Sequence, residues 1–140
     1  MSDVVERLLA LWTDLPADDE TAVAAFRQFY TDPVQINGTP MTAAELVGRA
    51  RSLHAAFADL RLEVIDRFDA PGRAVVVHRQ TGRHVGPLPT PLGDVPATGR
   101  MVEAITIDVL YVADDRVTDV WVTSDDLARL VRLDAVRLAS

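Results

Sequence analysis

Two histidines, a glutamine and an aspartate stand among apolar residues at a spacing that an extended chain brings to one side. Ala74, Val76, His78, Gln80 and His84 share one parity, and so do Val102, Ala104, Thr106, Asp108, Leu110 and Val112 further on. Residues two apart in a strand share a face of the sheet. Leu62, Val64, Asp66 and Phe68 extend that side before these runs, and Val120, Val122 and Ser124 extend it after them. Burying such polar groups costs several kcal/mol unless something pairs with them, so a pocket is the economical reading. A carboxylate shielded from water suits proton abstraction next to a carbonyl. Asp108 is the candidate base. His78 and His84 are candidates to stabilise the developing enolate or return the proton, and Gln80 is an orienting donor. The structural alternatives are that Asp108 pairs with a neighbouring Arg or His and ties the sheet, that His78 is a satisfied core histidine, and that His84 caps loop amides.

The elements that must position these groups are legible from periodicity and punctuation. Val4, Val5, Leu8, Leu9, Leu11, Trp12 and Leu15 recur at helical spacing over 3–15. Asp18, Asp19 and Glu20 place negative charge where a second helix begins, with Val23, Phe26, Phe29 and Tyr30 on its inner face and Asp32-Pro33 breaking it. Val34–Asn37 reads as a short strand ended by Gly38. Thr42-Ala43-Ala44-Glu45 is a capping box that opens a third helix. Strands follow at 61–69, 73–84, 101–112 and 117–123, with tight turns at Pro71-Gly72 and Asp114-Asp115. Ser124 is the expected N-cap of a last helix over 125–133. Trp12, Tyr30, His54, Phe57, Val120 and Val122 are the candidate pocket wall, although His54 shares a helix flank with Ala50 and Phe57 and also reads as helix packing. The connection from Gly86 to Gly99 holds Pro87, Pro89, Pro91 and Pro96. It reads as a stiff rim or lid over the pocket, or as a plain surface excursion.

Composition narrows the class of function. A chain of 140 residues is expected to be one domain, 1–140, able to bury a core without staples. It has no cysteine, so disulfides and thiolate metal sites are excluded. With 21 acidic and 14 basic residues the formal charge is -7, which argues against nucleic acid and anionic membranes as partners. No run approaches the roughly 18 apolar residues of a membrane span. Met1-Ser2-Asp3 shows no basic region leading an apolar core, so a cytoplasmic protein is expected. The three histidines lack metal-ligand spacing. No Gly-rich loop runs from a strand into a helix, and no Ser sits in a Gly-x-Ser-x-Gly turn.

Several short tracts, in order, carry a family resemblance. Phe57-Ala58-Asp59-Leu60-Arg61-Leu62 is similar to an "F-P-D-L-R" lead into the sheet, and Gly82-Arg83-His84-Val85-Gly86 to "G-T-H-x-G". Ala97-Thr98-Gly99-Arg100 is similar to "P-T-G-R", Ile107-Asp108-Val109-Leu110 to "I-D-x-F/L", and Asp114-Asp115-Arg116-Val117 to the "D-G-R-I" turn, with Asp125-Asp126-Leu127 opening the terminal helix. Over about Leu53 to Leu133 the sequence resembles the SnoaL-like polyketide cyclases, near the group labelled ester cyclases, in the nuclear transport factor 2-like superfamily. The resemblance implies an α+β fold: a cone-shaped α+β barrel with N-terminal helices packed on a curved antiparallel sheet. In that family the run after the last turn is commonly "E-H-W-D", with the His and Asp facing the cavity and the Asp serving as acid/base in ring-closing members. Here it is Asp119-Val120-Trp121-Val122, so the family's Asp is not carried over.

The resemblance and the polar cluster together predict cofactor-independent acid/base chemistry on an apolar, polyketide-like carbonyl compound, by ring closure or isomerisation. The alternative is a non-catalytic protein of the same fold that holds a small apolar ligand. The resemblance implies cofactor-independent chemistry or simple binding, and the spacing of the histidines and carboxylates predicts no metal site. The outward parity of the third and fourth strands carries Glu103, Ile105, Ile107, Val109, Tyr111, Asp119, Trp121 and Thr123. So much apolar surface on an open sheet predicts a homodimer with Trp121 near its two-fold axis, unless the last helix folds back over that face.

Overall fold

The computed structural model describes residues 2–139. Its elements run α1 (Ser2–Thr13), α2 (Asp19–Phe29), β1 (Tyr30–Ile36), β2 (Thr39–Met41), α3 (Ala43–Ala56), β3 (Phe57–Ala70), β4 (Arg73–His84), β5 (Met101–Ala113), β6 (Arg116–Ser124) and α4 (Asp126–Arg132). The strands form one curved sheet in the order β2-β1-β6-β5-β4-β3. Helices α1 to α3 pack on its inner face, so this is an α+β cone. Val5 and Leu8 of α1, Phe26 of α2 and Leu46 and Val47 of α3 share one buried cluster with Val34, Val76, Leu110 and Val117 of the sheet.

Local chemistry fixes the helix starts. Asp18 Oδ2 accepts from the Thr21 amide at 2.9 Å and caps α2. In the α3 box the Glu45 amide donates to Thr42 Oγ1 at 3.1 Å, and the Thr42 amide donates to Glu45 Oε1 at 3.4 Å. The β5–β6 turn places Asp114 and Asp115 at φ 51° and 60°, the mirror-image turn that matches strand twist. Gly72, at φ 68°, closes the β3–β4 turn after Pro71.

Four expectations are corrected by the structure. The sheet has six strands and is mixed, because β1 runs parallel to β6 while the other pairings are antiparallel. Asp32-Pro33 does not lie outside the strand. Strand β1 starts at Tyr30, and its register against β6 jumps from Tyr30↔Val117 to Gln35↔Asp119. Pro33 falls inside that irregularity, where no ladder bond is required of it. Asp66 and Phe68 do not share the inner face. A bulge between Val64 and Asp66 sets Asp66 opposite Val77 and Phe68 opposite Val75, which turns both outward. Finally, Ser124 is not the cap of α4. It is the last residue of β6, its hydroxyl 2.8 Å from Thr106 Oγ1, and Asp125 is the cap position.

Candidate active site

The inner face of β4, β5 and β6 and the inner sides of α1 and α3 enclose a cavity of about 330 Å³, within the range of small-ligand sites. Strand β4 supplies His78 and Gln80, β5 supplies Thr106, Asp108 and Leu110, and β6 supplies Val120, Val122 and Ser124. Cross-strand register explains the grouping. His78 lies opposite Thr106, and Asp108 is two residues further along, on the same face. The diagonal is short enough for the imidazole to reach the carboxylate. His78 Nε2 and Asp108 Oδ2 are 2.8 Å apart, with side chains 8% and 16% exposed. A carboxylate oxygen accepts, so Nε2 carries the proton of this bond. Among the described residues Asp108 Oδ1 has no hydrogen-bond donor and His78 Nδ1 is buried without a partner. One carboxylate oxygen is therefore held by the histidine, and the other has no protein donor among the described residues.

The position opposite Asp108 on β6 is Val122. A carboxylate there would point into the same cavity from the next strand. Val120 faces Leu110 in the same ladder and Val122 is partly buried beside the pair, so β6 contributes an apolar wall.

Tyr30 closes the cavity from the start of β1, and Trp12 closes it from the last turn of α1. The Trp12 indole Nε1–H donates to Tyr30 Oη at 2.9 Å. Phe26 holds both rings: its centroid is 5.4 Å from Trp12, edge to face, and 5.8 Å from Tyr30, stacked. Burial pushes the Tyr30 phenol well above its ordinary range. The Trp12 hydrogen bond opposes that shift in part, and the negative charge of Asp108 adds to it. Tyr30 therefore keeps its proton at any physiological pH.

Three predicted site residues lie elsewhere. His84 shares the inner face but not the cavity. It is fully buried in a second cluster with Phe57, Leu88, Val102 and Leu133, and its Nδ1 is 3.0 Å from Thr98 Oγ1. Phe57 belongs to that same cluster, 5.8 Å from the His84 ring. His54 donates from Nε2 to the Trp12 carbonyl at 2.7 Å, satisfying an acceptor that the end of α1 leaves open. The proline connection supplies no lining residue. It bridges on itself at Leu88 and Val95 and packs on the second cluster.

Sequence reasoning missed other parts of the wall. Ile36 and Met41 come from the β1–β2 hairpin, which Asn37-Gly38 would have signalled. Asn37 also stitches the wall, donating to the Val122 carbonyl at 3.1 Å and accepting from its amide at 2.8 Å. Arg49 of α3 reaches the cavity mouth; it is the one charged lining residue beyond the buried pair. Among the described residues no group of three His, Asp or Glu side chains is arranged to hold a metal, and no helix is long and apolar enough to cross a membrane.

The family model for SnoaL-like polyketide cyclases matches residues 2–132. The chain belongs to the SnoaL-like polyketide cyclase family. Solved structures agree on the fold of this SnoaL-like chain. It is similar to TsrD from Streptomyces laurentii, at TM-score 0.78 and 22% identity over 96% of this chain and 95% of that one. It is also similar to IdmH from Streptomyces antibioticus, a candidate polyketide cyclase, at TM-score 0.74 and 21% identity over 95% and 97% of the two chains. A SnoaL-like polyketide cyclase from Agrobacterium tumefaciens aligns at TM-score 0.71 and 20% identity over 93% and 97%. No curated protein matches the sequence at a significant level.

Proposed function

We propose that this SnoaL-like chain works as a cofactor-independent acid/base catalyst on an apolar, polyketide-like carbonyl compound, with Asp108 as the base. The observation that carries this reading is the His78–Asp108 pair on the cavity wall, directly across from Val122. The last strand carries Val122 where the family commonly has its acid/base Asp, and Asp108, at the position that matches the family's I-D motif on the neighbouring strand, is the carboxylate left facing that space. His78 fixes Oδ2, leaving Oδ1 to take a proton from carbon next to a carbonyl. Gln80, Trp12 and the valines orient an apolar body, and His84, with Phe57 and His54, supports the scaffold instead of the reaction. Ring closure or isomerisation then depends on where the resulting enolate carbon reacts.

The decisive experiment does not require the natural substrate. A panel of enolisable bicyclic ketones in heavy water reports exchange of the proton next to the carbonyl by NMR. The wild-type protein should accelerate exchange of at least one ketone by 10²-fold or more over buffer, the scale of one positioned base, and Asp108→Asn should return it to the buffer rate. Ketone binding with no acceleration would instead establish the ligand-binding alternative.

We also propose that two copies pair through the outer sheet face. Helix α4 leaves this face open: Ile107 is 41% and Trp121 53% exposed, while Leu133 beyond α4 packs in the second inner cluster. Sedimentation at micromolar concentration should return about twice the 15.3 kDa chain mass, and Trp121→Glu should return the single-chain mass.

A further inference from the structure

The hydrogen bond at Tyr30 has a direction that bears on the chemistry. An indole nitrogen can only donate. The 2.9 Å contact with Trp12 therefore uses a lone pair of Tyr30 Oη and leaves the phenolic hydrogen uncommitted. No acceptor for that hydrogen exists among the described residues, although Tyr30 is only 4% exposed and lines the cavity. A buried hydroxyl ordinarily finds an acceptor. Phe26 and Trp12 prevent the ring from turning elsewhere.

We propose that Tyr30 is the electrophilic partner of Asp108, its O–H aimed at the oxygen of the carbonyl group whose neighbouring carbon Asp108 deprotonates. This rests on the acid/base reading of the cavity and adds its second half. In the step, the C–H pair becomes the new C=C bond, the carbonyl π pair moves onto oxygen, and the proton passes to Asp108. The oxyanion is held by the Tyr30 O–H, which keeps its own proton. The carbonyl re-forms when the enolate carbon either takes the proton back from Asp108 or bonds to a second carbonyl carbon, whose π pair moves onto its own oxygen and takes the proton from Asp108. Trp12 positions the donor and strengthens it, because a hydroxyl that accepts one hydrogen bond donates a stronger one. The substrate class follows: an apolar compound with at least one enolisable carbonyl placed between β5 and the start of β1.

An oxyanion probe tests this independently of turnover. 2-Naphthol carries such an oxygen once ionised, and naphthalene has the same shape without it. Above the naphthol's own pKa, Tyr30→Phe should weaken naphtholate binding about tenfold or more, the scale of one hydrogen bond to a charged group, while naphthalene binding stays within twofold. Equal loss for both probes, or no loss for naphtholate, would overturn the proposal. Asp108→Asn should bind naphtholate at least as well as wild type because a negative charge is removed, so failure of the base assignment and failure of the donor assignment read out separately. If Tyr30→Phe does not fold, tyrosine ring-carbon NMR on the wild-type protein still decides. The chain has only two tyrosines. The Tyr30 signal should move with naphtholate while Tyr111, under the Arg73 guanidinium at 4.8 Å, stays put; an unmoved Tyr30 signal refutes the donor role.

Discussion

Replacing both His78 and Asp108 with apolar residues should cost less stability than replacing either alone. In Asp108→Val the imidazole, in a residue 6% exposed, loses the acceptor of its Nε2–H, and Nδ1 already has none. A buried donor left unpaired costs about 1–3 kcal/mol, offset slightly by the added apolar contact. In His78→Leu the carboxylate loses its donor but keeps some access to the cavity at 16% exposure, so about 1–2 kcal/mol is expected on the same scale. The double variant removes both desolvation costs at once. Replacement of a buried polar pair by apolar residues is often neutral or stabilising, so it should lie within about 1 kcal/mol of wild type, a coupling of roughly 2–3 kcal/mol. Urea unfolding followed by far-UV circular dichroism measures this, since 2 kcal/mol moves the midpoint by about 1 M at ordinary slopes. That result would support a role for the pair other than stability. A double variant at least as unstable as the worse single variant would show instead that the pair is a strut of the sheet. Strictly additive losses would show that the two groups do not interact. Either result would refute this reasoning.

Phe26→Ala should destabilise by about 4–5 kcal/mol, the upper end for a large-to-small core change, because a fully buried ring that contacts both Trp12 and Tyr30 is lost; thermal unfolding would show it. Asn37→Ala removes two hydrogen bonds to Val122 and puts a Cβ-bearing residue without a polar tip at φ 50°. About 2 kcal/mol should be lost, with ligand affinity falling too because the β6 wall is no longer stitched. In alkali, the raised Tyr30 pKa makes the neutral phenol the folded form. Its contribution is complete below the unfolded value near 10 and declines as pH rises above it, so Tyr30→Phe should flatten the alkaline limb of a midpoint-against-pH curve. In acid, Asp18 is held below its ordinary pKa by the Thr21 amide and hydroxyl, and Asp32 by the Arg27 guanidinium and then the Ala43 amide. Both contribute above the usual carboxylate range and lose that contribution as pH falls through their folded values. Asp18→Asn, which caps without titrating, should therefore show a shallower acid limb.

What could be read from the sequence was what short-range chemistry determines. The Thr42–Glu45 box opens α3 as its spacing requires, and Pro71-Gly72 and Asp114-Asp115 set both hairpins. Once those turns are fixed, alternation places His78, Gln80 and Asp108 on one face. Alternation identifies a face but not a depth. His84 lies six residues beyond His78, about 20 Å along an extended strand, and that distance carries it out of the cavity into the second core. The inversion of Asp66 and Phe68 arises from one extra residue at Ile65, for which no side chain gives notice. The parallel pairing of β1 with β6 joins segments some 86 residues apart, as the Thr31 hydroxyl reaching the Val117 carbonyl illustrates, and no local pattern encodes a partner so distant. The sequence places Tyr30 on a helix face and in the pocket wall; the proposed donor role rests on the direction of a bond from Trp12, eighteen positions earlier, which no local pattern encodes.

The proline connection divides this molecule into parts that can change independently. Its root is fixed: Gly86 lies so close against the Ala55 carbonyl that no side chain fits there. Its Leu88 and Val95 pack with Phe57, Val102 and Leu133, while the cavity is shaped by α1, α3, the inner sheet face and the hairpin that ends at Met41. Trimming or lengthening the connection between Leu88 and Val95 should therefore alter durability and leave ligand choice alone. If the acid/base proposal holds, a new specificity is to be sought by varying Leu9, Arg49 and Leu53, lining positions outside the buried core cluster and away from the His78–Asp108 pair.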